Sequence, residues 1–213
     1  MTFSGLPHAA VDFYAALEKD NSRAFWQTER ETYERDVRGP MTALLDLLED
    51  EFGPGKVFRP NRNLRFSRDK TPYKTSQGIF VGAGSYTGWY AEVSADGFRL
   101  GGGFYHPDAP ALAAYRRAVD SPDGAALAEI VEALRTDDWE VGGDRLRTAP
   151  RGWSRDHPRI DLLRHRSLTA MRSVDDPDIV TTPALAEHVR SSWRQVRPLV
   201  EWVAAAVRVA SAG

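Results

Sequence analysis

Arginines recur at every third position, Arg59, Arg62, Arg65 and Arg68, within a stretch from Lys56 to Lys74 that also holds Lys70. These seven of the chain's 28 basic residues face one acid, Asp69. The stretch therefore stands at +6 in a chain of net charge −2, leaving the remainder at −8. Arginine presents a planar fork of donors suited to phosphate or carboxylate, and lysine a compact point charge. Tyr73 adds a phenolic donor, and Asp69 can orient a cation or exchange a proton. Pro72 fixes its own φ and so stiffens the presentation of Tyr73 and Lys74. The competing reading is structural: the same cations pair with acids of the fold and knit helices to a sheet. A spacing of three cannot keep all four arginines on one side of a strand, so some must point elsewhere.

Composition narrows the chemistry. The 213 residues can build one substantial core, and six Trp, nine Phe and seven Tyr supply ample material for it. With no cysteine, disulfides, thiolate nucleophiles, iron–sulfur clusters and cysteine zinc sites are impossible. A reducing cytoplasm is the simplest location. No stretch reaches the ~20 apolar residues of a membrane span, and MTFSGLPHAA lacks the order of a secretory signal. The overall −2 argues against nonspecific coating of nucleic acid, though not against a local basic groove.

The elements that must position these residues follow from periodicity. Pro7 suits the first turn of a helix carrying Val11, Tyr14 and Leu17. Asn21 is the expected N-cap of a second helix through Phe25, Trp26 and Tyr33 to Arg38, which Gly39-Pro40 should stop before a third helix begins. Lys56 to Arg62 reads as a strand that Pro60 confines to an edge or bulge. Strands are expected at Gly78–Ala83, Trp89–Ala95 and Phe98–Phe104, the last two joined across Asp96-Gly97. Helices follow with Leu112, Tyr115 and Val119, and then with Leu127, Ile130, Val131 and Leu134. Trp139–Val141 and Arg145–Arg147 suggest a short hairpin, and Arg166–Val174 one more strand. Leu185, Val189, Trp193, Val196, Val200, Val203 and Val207 mark a final helix that Pro198 should kink or divide. The pattern predicts a single α+β domain over residues 1–213, a small, mainly antiparallel sheet flanked by N- and C-terminal helices.

Other motifs are weaker. Gly82–Gly88 misses the dinucleotide spacing by one residue, and Gly55-Lys56 lacks the remainder of a P-loop. Gly101-Gly102-Gly103 admits close approach of a ligand or of another backbone, or else a bulge. None of the five histidines has metal-binding spacing, so no metal or other cofactor is expected. Ser67 is read as bonding to the backbone. Among the tryptophans, Trp89 and Trp153 are the candidates for a ligand wall, and Trp26, Trp193 and Trp202 are read as core.

The run Arg62-Asn63-Leu64-Arg65-Phe66-Ser67-Arg68-Asp69-Lys70-Thr71-Pro72-Tyr73-Lys74 resembles the hallmark of the bacterial and fungal domain-of-unknown-function 2461 family, R-D-x-R-F-S-K-D-K-x-P-Y-K. Three more blocks are similar to it: Asn21–Pro40, with the aromatic pair inverted as Phe25-Trp26; Gly103–Val119, with Leu112 and Arg116 on pattern; and Pro150-Arg151-Gly152 through His157-Pro158 to Leu162-Leu163-Arg164. Asn63 stands where the family commonly has Asp, and Arg68 where it has Lys. The resemblance implies that the run is a site, without implying a reaction.

The expectation is a site for a small phosphate- or carboxylate-bearing ligand. Arg59, Arg62, Arg65, Lys70 and Lys74 supply charge, Gly103 and Arg116 help hold the ligand, and Asp69 and Tyr73 are the candidates for proton transfer or orientation. A nucleic-acid module, or a run neutralised by internal ion pairs, are the alternatives. No membrane partner is expected.

Overall fold

The computed structural model describes residues 3–63, 65 and 69–208. In chain order it contains α1 (His8–Lys19), α2 (Arg23–Thr32), a π-helical segment (Tyr33–Arg38) and α3 (Gly39–Phe52). Strands β1 (Gly55–Val57), β2 (Ser76–Gly84), β3 (Thr87–Ser94) and β4 (Gly97–Phe104) follow. After them come α4 (Ala109–Asp120), α5 (Gly124–Thr136), β5 (Glu140–Gly142), α6 (Ile160–Leu163), β6 (Leu168–Val174), α7 (Pro177–Val180) and α8 (Ala184–Arg208). Among the described residues, six strands form one antiparallel sheet in the order β1-β2-β3-β4-β6-β5, so the architecture is α+β as the periodicity predicts. No described helix is long and apolar enough to cross a membrane.

Alternation along the strands decides which side chains are buried. Ile79 and Val81 of β2, Ala91 and Val93 of β3, and Phe98 and Leu100 of β4 are buried, whereas Phe80, Tyr90, Glu92 and Arg99 between them are only half-buried. The β1–β2 register sets Lys56 opposite Phe80. Strand β1 lies at the sheet edge, where Pro60 just beyond it removes no ladder bond.

The chain divides into two compact units. The first comprises Met1–Val81, Tyr90–Leu100 and Ser173–Ser191. Its helices bury Phe13, Tyr14, Leu17, Val37, Met41, Leu44 and Leu48, and Phe13 meets Tyr14, Trp26 and Tyr33 at centroid distances of 5.2, 5.8 and 5.7 Å. Buried Gln77 is satisfied at both ends of its amide. It accepts from the Tyr33 hydroxyl at 2.5 Å and donates to the Phe58 carbonyl at 2.7 Å.

The second unit comprises Gly82–Trp89, Gly101–Arg172 and Ser192–Gly213. Its core includes Trp89, Phe104, Tyr115, Leu127, Trp139, Leu168, Trp193, Val200 and Val203. The glycine triplet is used here for backbone approach. A Cβ on Gly101 would strike the Ala170 carbonyl, one on Gly103 the Leu168 carbonyl, and one on Gly102 would press on Val200 at 3.0 Å and Val196 at 3.1 Å.

Several local expectations are corrected. Ser22, not Asn21, caps α2, its hydroxyl accepting from the Phe25 N–H at 3.1 Å. Gly39-Pro40 does not end the helix. Gly39 stays right-handed at φ −58°, its N–H reaches back to the Glu34 carbonyl, and the widened π turn carries the chain past Pro40. Helix α8 is likewise undivided at Pro198. Its buried stripe explains why: a helical proline costs about 3 kcal/mol, while each fully buried Val or Leu contributes about 1.5–3 kcal/mol. The expected 139–147 hairpin does not form. Strand β5 pairs with β6, Val141 opposite Ala170, while Arg145 bridges to His165.

Candidate functional site

The basic run leaves β1 and returns to β2 as a loop closed at its base by backbone pairing. Asn61 bridges Tyr73, the Arg62 N–H donates to the Pro72 carbonyl at 2.9 Å, and the Lys74 N–H to the Pro60 carbonyl at 2.8 Å. Asn21, released from capping α2, clamps this base from outside. Its amide donates to the Tyr73 carbonyl and accepts the Tyr73 N–H, both at 3.1 Å. The Tyr73 ring is buried and stacks on Trp26, with centroids 4.2 Å apart and planes 11° from parallel. Tyr73 thus fastens the loop to the helical layer of its unit.

Above that base the polar groups organise locally. Asp69 accepts the Thr71 N–H at 2.9 Å and the Thr71 hydroxyl at 2.8 Å, and pairs with Arg62 at 3.1 Å. The two Thr71 bonds, assisted by Arg62, hold the Asp69 carboxyl below the usual carboxylate range. It is ionised at neutral pH, which suits holding a cation better than exchanging a proton. Arg62 also donates to the Tyr73 carbonyl at 3.3 Å, while its buried Nε has no hydrogen-bond partner among the described residues. At Asn63, where the resemblance would place an acid, the side-chain oxygen instead accepts the Arg65 N–H at 3.2 Å.

Lys74 is half-buried, with its ammonium 5.1 Å from the centroid of the Phe58 ring. Burial, with the Arg59 and Arg62 guanidinium groups as neighbours, pushes its pKa below the ordinary lysine value. Among the described residues, no carboxylate reaches ion-pairing distance of Arg59, Arg65 or Lys74. Arg59, Arg65 and Lys70 are exposed. Leu64, Phe66, Ser67 and Arg68 lie outside the described residues, and with them the reading of Ser67.

The sequence-predicted residues thus fall into two groups. Arg59, Arg62, Arg65, Asp69, Lys70, Tyr73 and Lys74 share this loop in the first unit. Gly103 and Arg116 belong to the second unit and have partners there. Gly103 faces the β6 backbone, and the Arg116 Nε donates to the Leu163 carbonyl at 3.1 Å. Trp89, expected as a ligand wall, is buried against Trp193, with centroids 6.4 Å apart, and donates to the Trp193 carbonyl at 3.2 Å.

Sequence reasoning missed Asn21 as a clamp, and it missed Lys56, Phe58, Phe80 and Tyr90 around Lys74. Strand alternation carried a signal for the last two, since it sends them to the face opposite Ile79 and Ala91. An α+β protein whose first unit presents a clamped cationic loop is the class that fold and geometry define. Residues 9–202 match the family described as conserved hypothetical protein (DUF2461), and the chain belongs to that family. The chain matches no curated protein and no solved structure.

Proposed function

We propose that the protein binds a phosphate- or carboxylate-bearing anion at Arg59, Arg62 and Lys74, with Arg65 and Lys70 adding charge from the exposed limb of the loop. One observation carries the reading. Lys74 is partly desolvated against the Phe58 ring, feels the charges of Arg59 and Arg62, and has no carboxylate at ion-pairing distance among the described residues. A cation so placed is unfavourable in the folded protein until an anion compensates it, and such sacrifice of stability is typical of sites. Asp69 steadies Arg62, and Tyr73 anchors the loop through its ring and backbone. In this role neither needs to move a proton.

Calorimetric titration with inorganic pyrophosphate, and in parallel with citrate, tests the proposal. The wild-type chain should bind at least one of them, and Lys74→Met should weaken binding by about tenfold, the loss of one charge-assisted contact. At a hundredfold excess over Kd the anion should stabilise the fold by about 2.7 kcal/mol in a thermal melt. Absence of both heat and melting shift for every anion would reject the site, and equal binding by Lys74→Met would move it away from Lys74.

A further inference from the structure

The half-buried face of the first unit's strands carries three rings with Lys56 and Lys74 at one side, and Glu92, which accepts from the Tyr90 hydroxyl at 2.8 Å, at the other. Phe58 and Phe80 lie close to parallel, 15° apart with centroids separated by 6.5 Å, and the Lys56 ammonium is 5.3 Å from both centroids. Tyr90 lies across Gly78. A Cβ there would meet its hydroxyl at 2.5 Å and its ring at 2.6 Å, so the glycine is what allows the ring to lie down on the sheet. Phe58 and Tyr90 are 6.1 Å apart at 37°. All three rings are half-buried, and Lys74, with its flanking Arg59 and Arg62, borders Phe58.

From this juxtaposition we infer that the anion is single-stranded nucleic acid, its bases resting on Phe80 and Tyr90 and its phosphates on Lys56, Lys74, Arg59 and Arg62. The inference rests on the anion reading above and narrows it to one ligand class. A lone phosphate is satisfied by two or three donors, whereas the run carries seven cations against one acid. Two of its lysines hold their ammonium groups within 5.3 Å of the Phe58 centroid, so charge and aromatic surface adjoin. That adjacency matches a strand in which each charged phosphate carries a flat base. A duplex does not fit, because its bases are stacked on one another and offer only edges.

Fluorescence anisotropy with a labelled oligothymidylate, using the full chain, tests the inference. Three competitors are required: an abasic strand of equal length, inorganic polyphosphate of equal charge, and the matching duplex. The strand should bind with a log-linear loss of affinity as salt rises. The abasic strand, polyphosphate and duplex should each compete at least tenfold less well, since base stacking on a ring is commonly worth about that much. Phe80→Leu should lose about tenfold in strand affinity while retaining pyrophosphate binding, and Lys74→Met should lose both. If the abasic strand or polyphosphate competes as well as the thymidylate, the platform is wrong and the anion site stands. Preference for the duplex likewise overturns it. If neither thymidylate nor pyrophosphate binds, both readings fail. The abasic comparison needs only the wild-type chain, so it decides the matter even where Phe80→Leu does not fold.

Discussion

Two arginine-rich regions of this chain use the same side chain in opposite ways. In the second unit, Arg159 donates to the carbonyls of Val119, Asp120 and Ser121 at 2.7, 3.1 and 3.0 Å and so closes the C-terminal end of α4. Arg164 similarly donates to the Leu146 and Arg147 carbonyls at 2.8 and 2.7 Å. These guanidinium groups serve as multi-pronged donors to backbone carbonyls. In the first unit, Arg59 and Arg65 show no such acceptors among the described residues, and Lys74 stands among cations. The contrast teaches that charge density alone does not tell which arginines find partners inside the fold. The acceptors that the tertiary structure brings to each one decide it.

The sharpest way to break this contrast is Arg159→Ala. It removes three charge-assisted bonds and should cost about 2–3 kcal/mol in a denaturant melt while leaving pyrophosphate affinity unchanged. Loss of anion binding without loss of stability would invert the assignment. Asn21→Ala comes next, since it opens the clamp on Tyr73. Two lost neutral bonds should cost about 1–2 kcal/mol, and anion affinity should fall with it, because the loop base loosens.

Lys74→Met keeps the stem against Phe58 and deletes the charge. The Lys74 pKa is lowered in the folded protein, so the folded state binds fewer protons than the unfolded one just below the ordinary lysine value. Its destabilising effect is therefore fully present at neutral pH and disappears as pH rises through that window. The variant should melt at or above the wild-type temperature at pH 7, with the gap closing as pH rises toward 10. A variant that melts well below wild type at neutral pH would make Lys74 a structural cation.

His165 sharpens the second unit's side of the comparison. Burial pushes its pKa down, with Nδ1 held 2.9 Å from the Ser167 carbonyl. A base whose folded pKa is depressed contributes stability above its ordinary value of about 6.5. That contribution is lost as pH falls from there toward the lowered value. The melting temperature should fall on acidification below pH 6.5, and His165→Gln should flatten that limb. Asp69→Asn has the smallest expected effect on stability. Asp69 is exposed and its pairing with Arg62 solvent-screened, so Tm should barely move, while Arg62, no longer steadied, should hold pyrophosphate less tightly in the same titration.

Much of the architecture is legible in the sequence because it is written in local periodicity. The strands from Gly78 to Phe104 and the apolar stripe of the last helix show as period-two and period-three-to-four patterns, and both form near the expected bounds. The helices run on past both expected stops for one reason. Gly39-Pro40 and Pro198 are local stop signals, but burial of many side chains along each helix outweighs a few kcal/mol at one position. The 139–147 hairpin fails similarly, since Val141 finds a better partner in Ala170, far along the chain. For the candidate site, the basic run is visible as a charge anomaly, and its residues do share one loop. Gly103 and Arg116 stand beside it only as motif blocks, and the fold gives them backbone partners of their own.

What the residues alone determined was the class of fold and the presence of seven cations where one acid could not balance them, because periodicity and charge are properties of neighbours in sequence. Which of those cations would find acceptors was decided only in three dimensions. Asn21 reaches Tyr73 across 52 positions and Trp26 meets its ring. Alternation puts Phe80 and Tyr90 on one face of the strands, where both meet Phe58, the ring that Lys74 approaches. Those contacts join segments that no local pattern connects, and the partial burial of Lys74 near Arg59 and Arg62 likewise appears only in the fold.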